Sequence, residues 1–131
     1  MARILVADDE GAMRDMVRLA CERLGHEVHE AIDTQSTISS YERLKPDLLI
    51  LDIHMPGGGR PLDLNSLRFG GKRKIGPVLV VTGSLVATHE EVRASLHVDR
   101  VLLKPFRIMD LSIAVRDLLA IAAKPPPPLG G

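Results

Sequence analysis

The chain has 131 residues, a length that fits one domain with a substantial buried core. Its 17 basic and 17 acidic side chains give a net charge of zero, so no overall charge favours direct binding to nucleic acid or to an anionic membrane. The single cysteine, Cys21, excludes an intramolecular disulfide, and its place among apolar residues at helical spacing predicts a core thiol.

The predicted elements alternate between strand and helix along the chain. Short apolar or β-branched runs predict strands near residues 3–7, 27–31, 48–51, 78–81 and 100–103. Helices are predicted after each strand. The first carries apolar residues at three-to-four spacing and ends before Gly25: Met13, Met16, Val17, Ala20, Cys21 and Leu24. The next three cover about residues 34–44, 62–69 and 86–96, and the last has one apolar face: Ile108, Leu111, Val115, Leu118, Leu119 and Ala122.

Two segments depart from this alternation. Residues 55–77 are rich in glycine and leave room for only a short helix, and the run Lys72–Lys74 within them is predicted to be a solvated loop. The proline-rich residues 124–131 cannot continue a helix and are expected to be an extended tail or linker after a domain of residues 1–123. The apolar run before Asp8 is too short for a signal peptide or membrane span, so we expect a cytoplasmic protein.

Five strands alternating with five helices predict an α/β fold. Because the strands are apolar along their whole length, they are typical of a parallel sheet buried on both faces. Right-handed crossovers would then place helices on both sides of a doubly wound sheet.

Polar side chains follow four of the predicted strands where each strand ends. They are Asp8-Asp9, Asp52, Thr82 and Lys104-Pro105. Parallel strands share one carboxyl edge, where α/β proteins bind their ligands, so these residues are expected to form one site. Taken alone, the Asp8-Asp9 pair could instead cap the first helix.

Three carboxylates in one pocket repel each other unless a cation offsets their charge. Oxygen ligands favour a hard ion such as Mg²⁺, which keeps water positions for a phosphate. Lys104 would add a positive charge and Thr82 a hydroxyl donor, so the set is typical of phosphoryl transfer. Asp52 stands alone at its strand end and is the candidate nucleophile, whereas the adjacent Asp8 and Asp9 suit a metal and its bound water.

These residues, in this order and at these separations, resemble the signature of the CheY-like receiver domains of response regulators in two-component signalling. Two local segments are also close to the family's usual sequence: Asp52-Ile53-His54-Met55-Pro56-Gly57 and Leu102-Leu103-Lys104-Pro105-Phe106. The resemblance covers roughly residues 2–122. It implies a flavodoxin-like (βα)5 fold.

The resemblance also implies a role for each site residue. Asp52 would accept a phosphoryl group from a histidine kinase or phosphotransfer protein, in a phosphorelay that switches partner binding. Mg²⁺ would be held by Asp9, Asp52 and the backbone carbonyl of His54, with Asp8 acting mainly through a bound water. Lys104 would pair with carboxylate or phosphoryl oxygens, and Thr82 would donate to the phosphoryl group. Gly83 would keep the pocket open, and the Lys104-Pro105 bond would be cis.

The sequence departs from the family in two places. Receivers commonly have Tyr or Phe three residues before the site lysine, whereas this chain has Val101, which cannot act as an aromatic rotamer switch. The glycine-rich residues 57–61 and the short helix after them differ from the family's longer third helix, so local mobility is predicted there.

The sequence is also compatible with two other functions. One is an interaction module that works without phosphorylation, which Val101 and the irregular third helix favour. The other is a metal-dependent phosphatase with an aspartyl nucleophile, although His54 stands where such enzymes usually place a second acid. The kinase, the output partner and the formation of a homodimer are not indicated by the sequence.

Overall fold

Five short strands form one parallel sheet. The computed structural model describes residues 1–52, 77–83 and 99–123, with side chains up to residue 120. The strands are β1 (Arg3–Ala7), β2 (Glu27–Ala31), β3 (Leu48–Asp52), β4 (Val78–Thr82) and β5 (Arg100–Leu103). Their spatial order is β2-β1-β3-β4-β5, with every neighbouring pair parallel. The predicted doubly wound α/β sheet is therefore confirmed, and β3 and β4 each run one residue further than predicted.

Three helices lie within the described ranges: α1 (Gly11–Arg23), α2 (Thr34–Leu44) and α3 (Ile108–Ala123). The other two predicted helices, residues 62–69 and 86–96, lie outside those ranges, as do Lys72–Lys74 and the tail 124–131. None of the helices in the described part of the chain has the length and hydropathy needed to cross a membrane.

Local hydrogen bonds explain where α1 ends and where α2 begins. Gly25 has a φ of 87°, and its N–H donates to Glu22 O at 2.9 Å while His26 N–H donates to Cys21 O at 3.1 Å. This pair of bonds is a Schellman motif, for which glycine is favoured at the left-handed position. Asp33 caps α2 because its Oδ1 accepts from Ser36 N at 2.7 Å, and the Ser36 hydroxyl completes the capping box.

The alternation of strand side chains divides the core between the two faces of the sheet. One face packs against α2 and the other against α1 and α3, and both are built almost entirely from aliphatic side chains. Among the described side chains of the predicted apolar faces, two depart from the pattern: Leu24 is 37% exposed and Ile108 is 39% exposed. Leu24 lies past the last residue of α1 and Ile108 is the first residue of α3, so neither is surrounded by the core.

Candidate functional site

The sheet brings the predicted site residues to one edge. Ala7 pairs with Leu51, and Thr82 pairs with Leu103, so β1, β3, β4 and β5 end at neighbouring positions. Asp8 follows β1, Asp52 and Thr82 are the last residues of their strands, and Lys104 follows β5. The parallel register thus produces the shared strand edge predicted from the sequence.

Asp8, Asp9 and Asp52 form an acidic cluster. Each offers one carboxylate oxygen, and these three oxygens lie within 4.8 Å of one another. Asp8 and Asp52 are buried, with 2% and 7% exposure, whereas Asp9 is exposed. An all-oxygen set that is open on one side fits a hard divalent cation that retains water ligands.

Lys104 lies between the two buried carboxylates. Its Nζ donates to Asp8 Oδ2 at 3.2 Å and lies 3.6 Å from Asp52 Oδ2. Burial lowers the pKa of Lys104, but the charges of Asp52 and Asp8 and the hydrogen bond to Asp8 outweigh it and raise the pKa. One ammonium against three carboxylates still leaves two negative charges in the cluster, which a divalent cation would neutralise.

All the polar groups of Asp8 have partners. Its N–H donates to Ala31 O at 3.1 Å, and its carbonyl accepts from Arg14 Nη1 at 2.8 Å. Its Oδ1 accepts from Glu10 N at 2.9 Å, and its Oδ2 accepts from Lys104. Burial, with the neighbouring charge of Asp52, raises the pKa of Asp8 despite these bonds.

The helix-capping interpretation of the Asp8-Asp9 pair is wrong. The N-cap of α1 is Glu10, which makes no side-chain cap hydrogen bond. Asp8 accepts from the Glu10 amide instead, so its carboxylate orders the turn between β1 and α1.

Thr82, Gly83 and Lys104 lie on neighbouring strand ends. The Lys104 N–H donates to Thr82 O at 2.8 Å, and Thr82 is fully buried. A methyl group added at Gly83 would lie 3.8 Å from Lys104 Cβ, an ordinary contact, so Gly83 lies directly beside the lysine. The predicted cis Lys104-Pro105 bond is confirmed.

Val101 is part of the core. It is 5% exposed, pairs with Val80 on β4 and belongs to the apolar cluster on the α2 face. A buried valine at this position has neither an aromatic ring nor access to solvent, as inferred from the sequence.

Two further site predictions cannot be compared with the structure, and one contact of the site was not predicted. The His54 carbonyl and the glycine-rich residues 57–61 lie outside the described residues. Arg14 was not predicted, although it donates to the backbone of Asp8. The available signal was a basic residue one helical turn into α1, which is too common on helix surfaces to indicate this contact.

The fold and the site together define a class of small α/β domains that carry an acidic cluster and a lysine at the carboxyl edge of a parallel sheet. Comparison with known families makes the assignment specific, because residues 4–116 match the model of the response regulator receiver domain. The chain therefore belongs to the response regulator receiver domain family of two-component signalling.

The chain is similar in sequence to two proteins that are named as transcriptional regulators. The chain is 31% identical over 120 residues to the DNA-binding dual master transcriptional regulator RpaA of Synechocystis, covering 91% of this chain and 49% of RpaA. It is 31% identical over 116 residues to the KDP operon transcriptional regulatory protein KdpE of Escherichia coli, covering 88% of this chain and 50% of KdpE. The chain thus spans about half the length of these relatives.

Solved structures support the same fold. A CheY-like receiver domain protein from Methanospirillum hungatei matches with a TM-score of 0.76 at 25% identity, covering 93% of this chain and 96% of that one. The chemotaxis response regulator CheY4 of Vibrio cholerae matches with a TM-score of 0.76 at 23% identity, covering 90% and 98%. The second match shows the fold alone.

Proposed function

We propose that this receiver domain accepts a phosphoryl group on Asp52 in a reaction that requires Mg²⁺. The observation that carries the proposal is the position of Lys104 Nζ, 3.2 Å from Asp8 and 3.6 Å from Asp52 within a cluster of three carboxylates. The donor would be a histidine kinase or a phosphotransfer protein. The phosphorylated domain would then change its binding to an output partner.

Asp52 is the best candidate nucleophile among the three carboxylates. The carboxylate of Asp8 orders the turn after β1, because its Oδ1 accepts from Glu10 N. Asp9 is exposed, so water would solvate its carboxylate and lower its nucleophilicity. Asp52 combines burial with a lysine 3.6 Å away, so the charge that develops on the phosphoryl oxygens would be met by a nearby cation.

The other residues of the site would bind Mg²⁺ and orient the phosphoryl group. Asp8, Asp9, Asp52 and the His54 carbonyl would hold Mg²⁺, which supplies positive charge to the phosphoryl oxygens when bound. Lys104 would pair with one phosphoryl oxygen as the Asp52 oxygen forms its bond to phosphorus and the bond to the donor breaks. The hydroxyl of Thr82, at the adjacent strand end, would donate to another oxygen.

A small phosphodonor tests the proposal without a known kinase. Wild-type protein incubated with acetyl phosphate and Mg²⁺ should gain the mass of one phosphoryl group, and a chelator should prevent the gain. Asp52→Asn should show no gain. Asp117→Asn, the same change at an exposed aspartate that pairs with Arg100, should behave as wild type. Equal labelling of Asp52→Asn and wild type would overturn the assignment of Asp52.

Two other outcomes would favour the competing functions. Normal partner binding by Asp52→Asn would favour an interaction module that works without phosphorylation, and sustained turnover of a phosphoester would favour a phosphatase. We further propose that residues 1–123 form the receiver unit and residues 124–131 a proline-rich tail or linker. RpaA and KdpE are named as transcriptional regulators. The first output activity to test for this domain is therefore the regulation of transcription.

A further inference from the structure

Arg14 joins the acidic cluster to the edge strand β2. Its Nη1 donates to the carbonyl oxygen of Asp8 at 2.8 Å, and its Nε donates to Glu30 Oε1 at 3.0 Å. Glu30 is on β2, next to Ala31, whose carbonyl accepts the Asp8 N–H. Both backbone groups of Asp8 are thus tied to β2, the N–H directly and the carbonyl through Arg14.

We propose that Arg14 is a positioning residue that fixes the Asp8-Asp9 peptide group and thereby sets the geometry of the acidic cluster. The proposal rests on the proposed function, because positioning matters for Mg²⁺ binding and phosphoryl transfer only if the cluster has those roles. Within the described residues, Arg14 makes no hydrogen bond or ion pair with a carboxylate of the cluster, and on this proposal it does not bind the ion.

The carbonyl that Arg14 holds belongs to the peptide bond between Asp8 and Asp9. Because a peptide group is planar, fixing this oxygen also fixes the direction in which the Asp9 residue leaves the plane. Asp8 is held by four hydrogen bonds, whereas Asp9 is exposed. The orientation of Asp9 toward Asp8 and Asp52 therefore depends on a peptide plane that Arg14 holds from one side.

The guanidinium group is suited to this task. Nε and Nη1 lie in one rigid plane, so a single side chain holds the Asp8 carbonyl and Glu30 at a fixed separation. The side chains of Arg14 and Glu30 are 20% and 28% exposed, so water competes only partly for the two contacts. A lysine has a single terminal nitrogen, so it could not hold the Asp8 carbonyl and Glu30 at a fixed separation.

Arg18 provides a matched control on the same helix. It lies one turn further along α1, pairs with the same Glu30 and also pairs with Glu22 at 3.3 Å. In the part of the chain that the structure describes, its hydrogen bonds go to these two glutamates and not to Asp8. Removal of Arg18 therefore perturbs the ion pair with β2 but leaves the peptide group in place.

The test is a Mg²⁺ titration, monitored by calorimetry, of four proteins: wild type, Arg14→Met, Arg14→Lys and Arg18→Met. Loss of a group that orients a metal ligand commonly weakens metal binding tenfold or more. Arg14→Met should raise the Mg²⁺ dissociation constant about tenfold, with Arg14→Lys intermediate and Arg18→Met indistinguishable from wild type. Melting temperatures of Arg14→Met and Arg18→Met should be similar, which separates positioning from general stabilisation.

Amide hydrogen exchange in the metal-free protein gives a second, independent readout. Arg14→Met should speed exchange at the Asp8 and Glu10 amides, which donate to Ala31 O and Asp8 Oδ1, and Arg18→Met should not. Unchanged Mg²⁺ affinity in Arg14→Met, or an equal loss in Arg18→Met, would overturn the proposal. A wild type that fails to bind Mg²⁺ would overturn the proposed function instead, and the exchange rates would still decide whether Arg14 holds the peptide group.

Discussion

Lys104 and Asp8 are 96 residues apart in sequence, yet Nζ of the lysine lies 3.2 Å from Oδ2 of the aspartate. The distance from Nζ to Asp52 Oδ2 is longer, at 3.6 Å. Lys104 therefore holds a proposed metal ligand and faces the proposed nucleophile at the same time. On the proposed function, Asp8 would help to hold the cation and Lys104 would offer its charge to a phosphoryl group on Asp52.

The first prediction concerns this divided role. Lys104→Gln should slow phosphoryl transfer to Asp52 about 100-fold, as expected when one charge-stabilising donor is lost from such a site. The same variant should bind Mg²⁺ more tightly than wild type, because a positive charge beside Asp8 and Asp52 has been removed. Phosphorylation rates with acetyl phosphate and Mg²⁺ titration by calorimetry measure the two effects. Lys45→Gln, at an exposed lysine, is the control.

Weaker Mg²⁺ binding by Lys104→Gln would contradict this prediction. It would mean that the lysine is needed to keep the carboxylates in place rather than to compete with the cation.

The second prediction is a pH dependence of stability caused by His26. Burial, with the charge of the N-terminal ammonium, lowers the pKa of His26, and its Nδ1 accepts from Ala2 N at 3.1 Å. The unfolded chain therefore takes up the proton first as pH falls below about 6.5, so this contribution to stability is present above that pH and is lost below it. The free energy of unfolding of wild type should fall more than that of His26→Gln between pH 7.5 and pH 5.

Urea denaturation at several pH values measures this effect. The difference between the two proteins at pH 8, where the histidine is neutral in both states, serves as the reference. Parallel pH profiles of wild type and His26→Gln would exclude the contribution.

The third prediction compares two residues of α3. Leu111 is fully buried and Ile113 is 46% exposed. Leu111→Ala should lower the free energy of unfolding by about 2–5 kcal/mol, because it leaves a cavity between α3 and the sheet. Ile113→Ala should change it by less than about 1 kcal/mol. Denaturant unfolding measures both, and similar losses in the two variants would show that α3 is packed differently.

The fourth prediction concerns two glycines at the ends of α1. Gly25→Ala should destabilise the protein by about 1 kcal/mol, because Gly25 has a φ of 87°. Space is not the cause, since among the described residues only the chain neighbours of Gly25 could lie within 4 Å of an added methyl group. Gly11→Ala, in the first turn of α1, should be neutral or stabilising, since alanine is the better helix former and its methyl group would lie 3.6 Å from Arg14 Nη2. Thermal unfolding of the two variants should therefore shift in opposite directions or by clearly different amounts.

The strands and the candidate site could be predicted because their signals are local. Each strand is an apolar run, and the residue that follows the run falls at the shared sheet edge whatever the details of packing. Asp8, Asp52 and Lys104 were placed in this way, and the structure brings them together. Gly25 was predictable for the same reason, since the conformation that ends α1 favours glycine.

Side-chain direction across elements was not predictable. Arg14 reaches Asp8 and Glu30 only because α1 packs beside β2 with one particular rotation, and no spacing in the sequence encodes that rotation. The burial difference between Asp8 and Asp9 likewise comes from the direction of the turn after β1. The exposure of Leu24 follows from its position beyond the last helical residue, where the apolar spacing no longer faces the core.

Cys21 can report on the separation of α1 from the sheet. It is the chain's single cysteine, it lies on the face of α1 that is buried against the sheet, and burial raises the pKa of its thiol to about 12. A thiol reagent can therefore react at a useful rate only with molecules in which the α1 face has separated from the sheet. The labelling rate can be compared with and without Mg²⁺ in the wild-type protein. The difference would measure how strongly an ion at the strand edge stabilises the opposite end of α1.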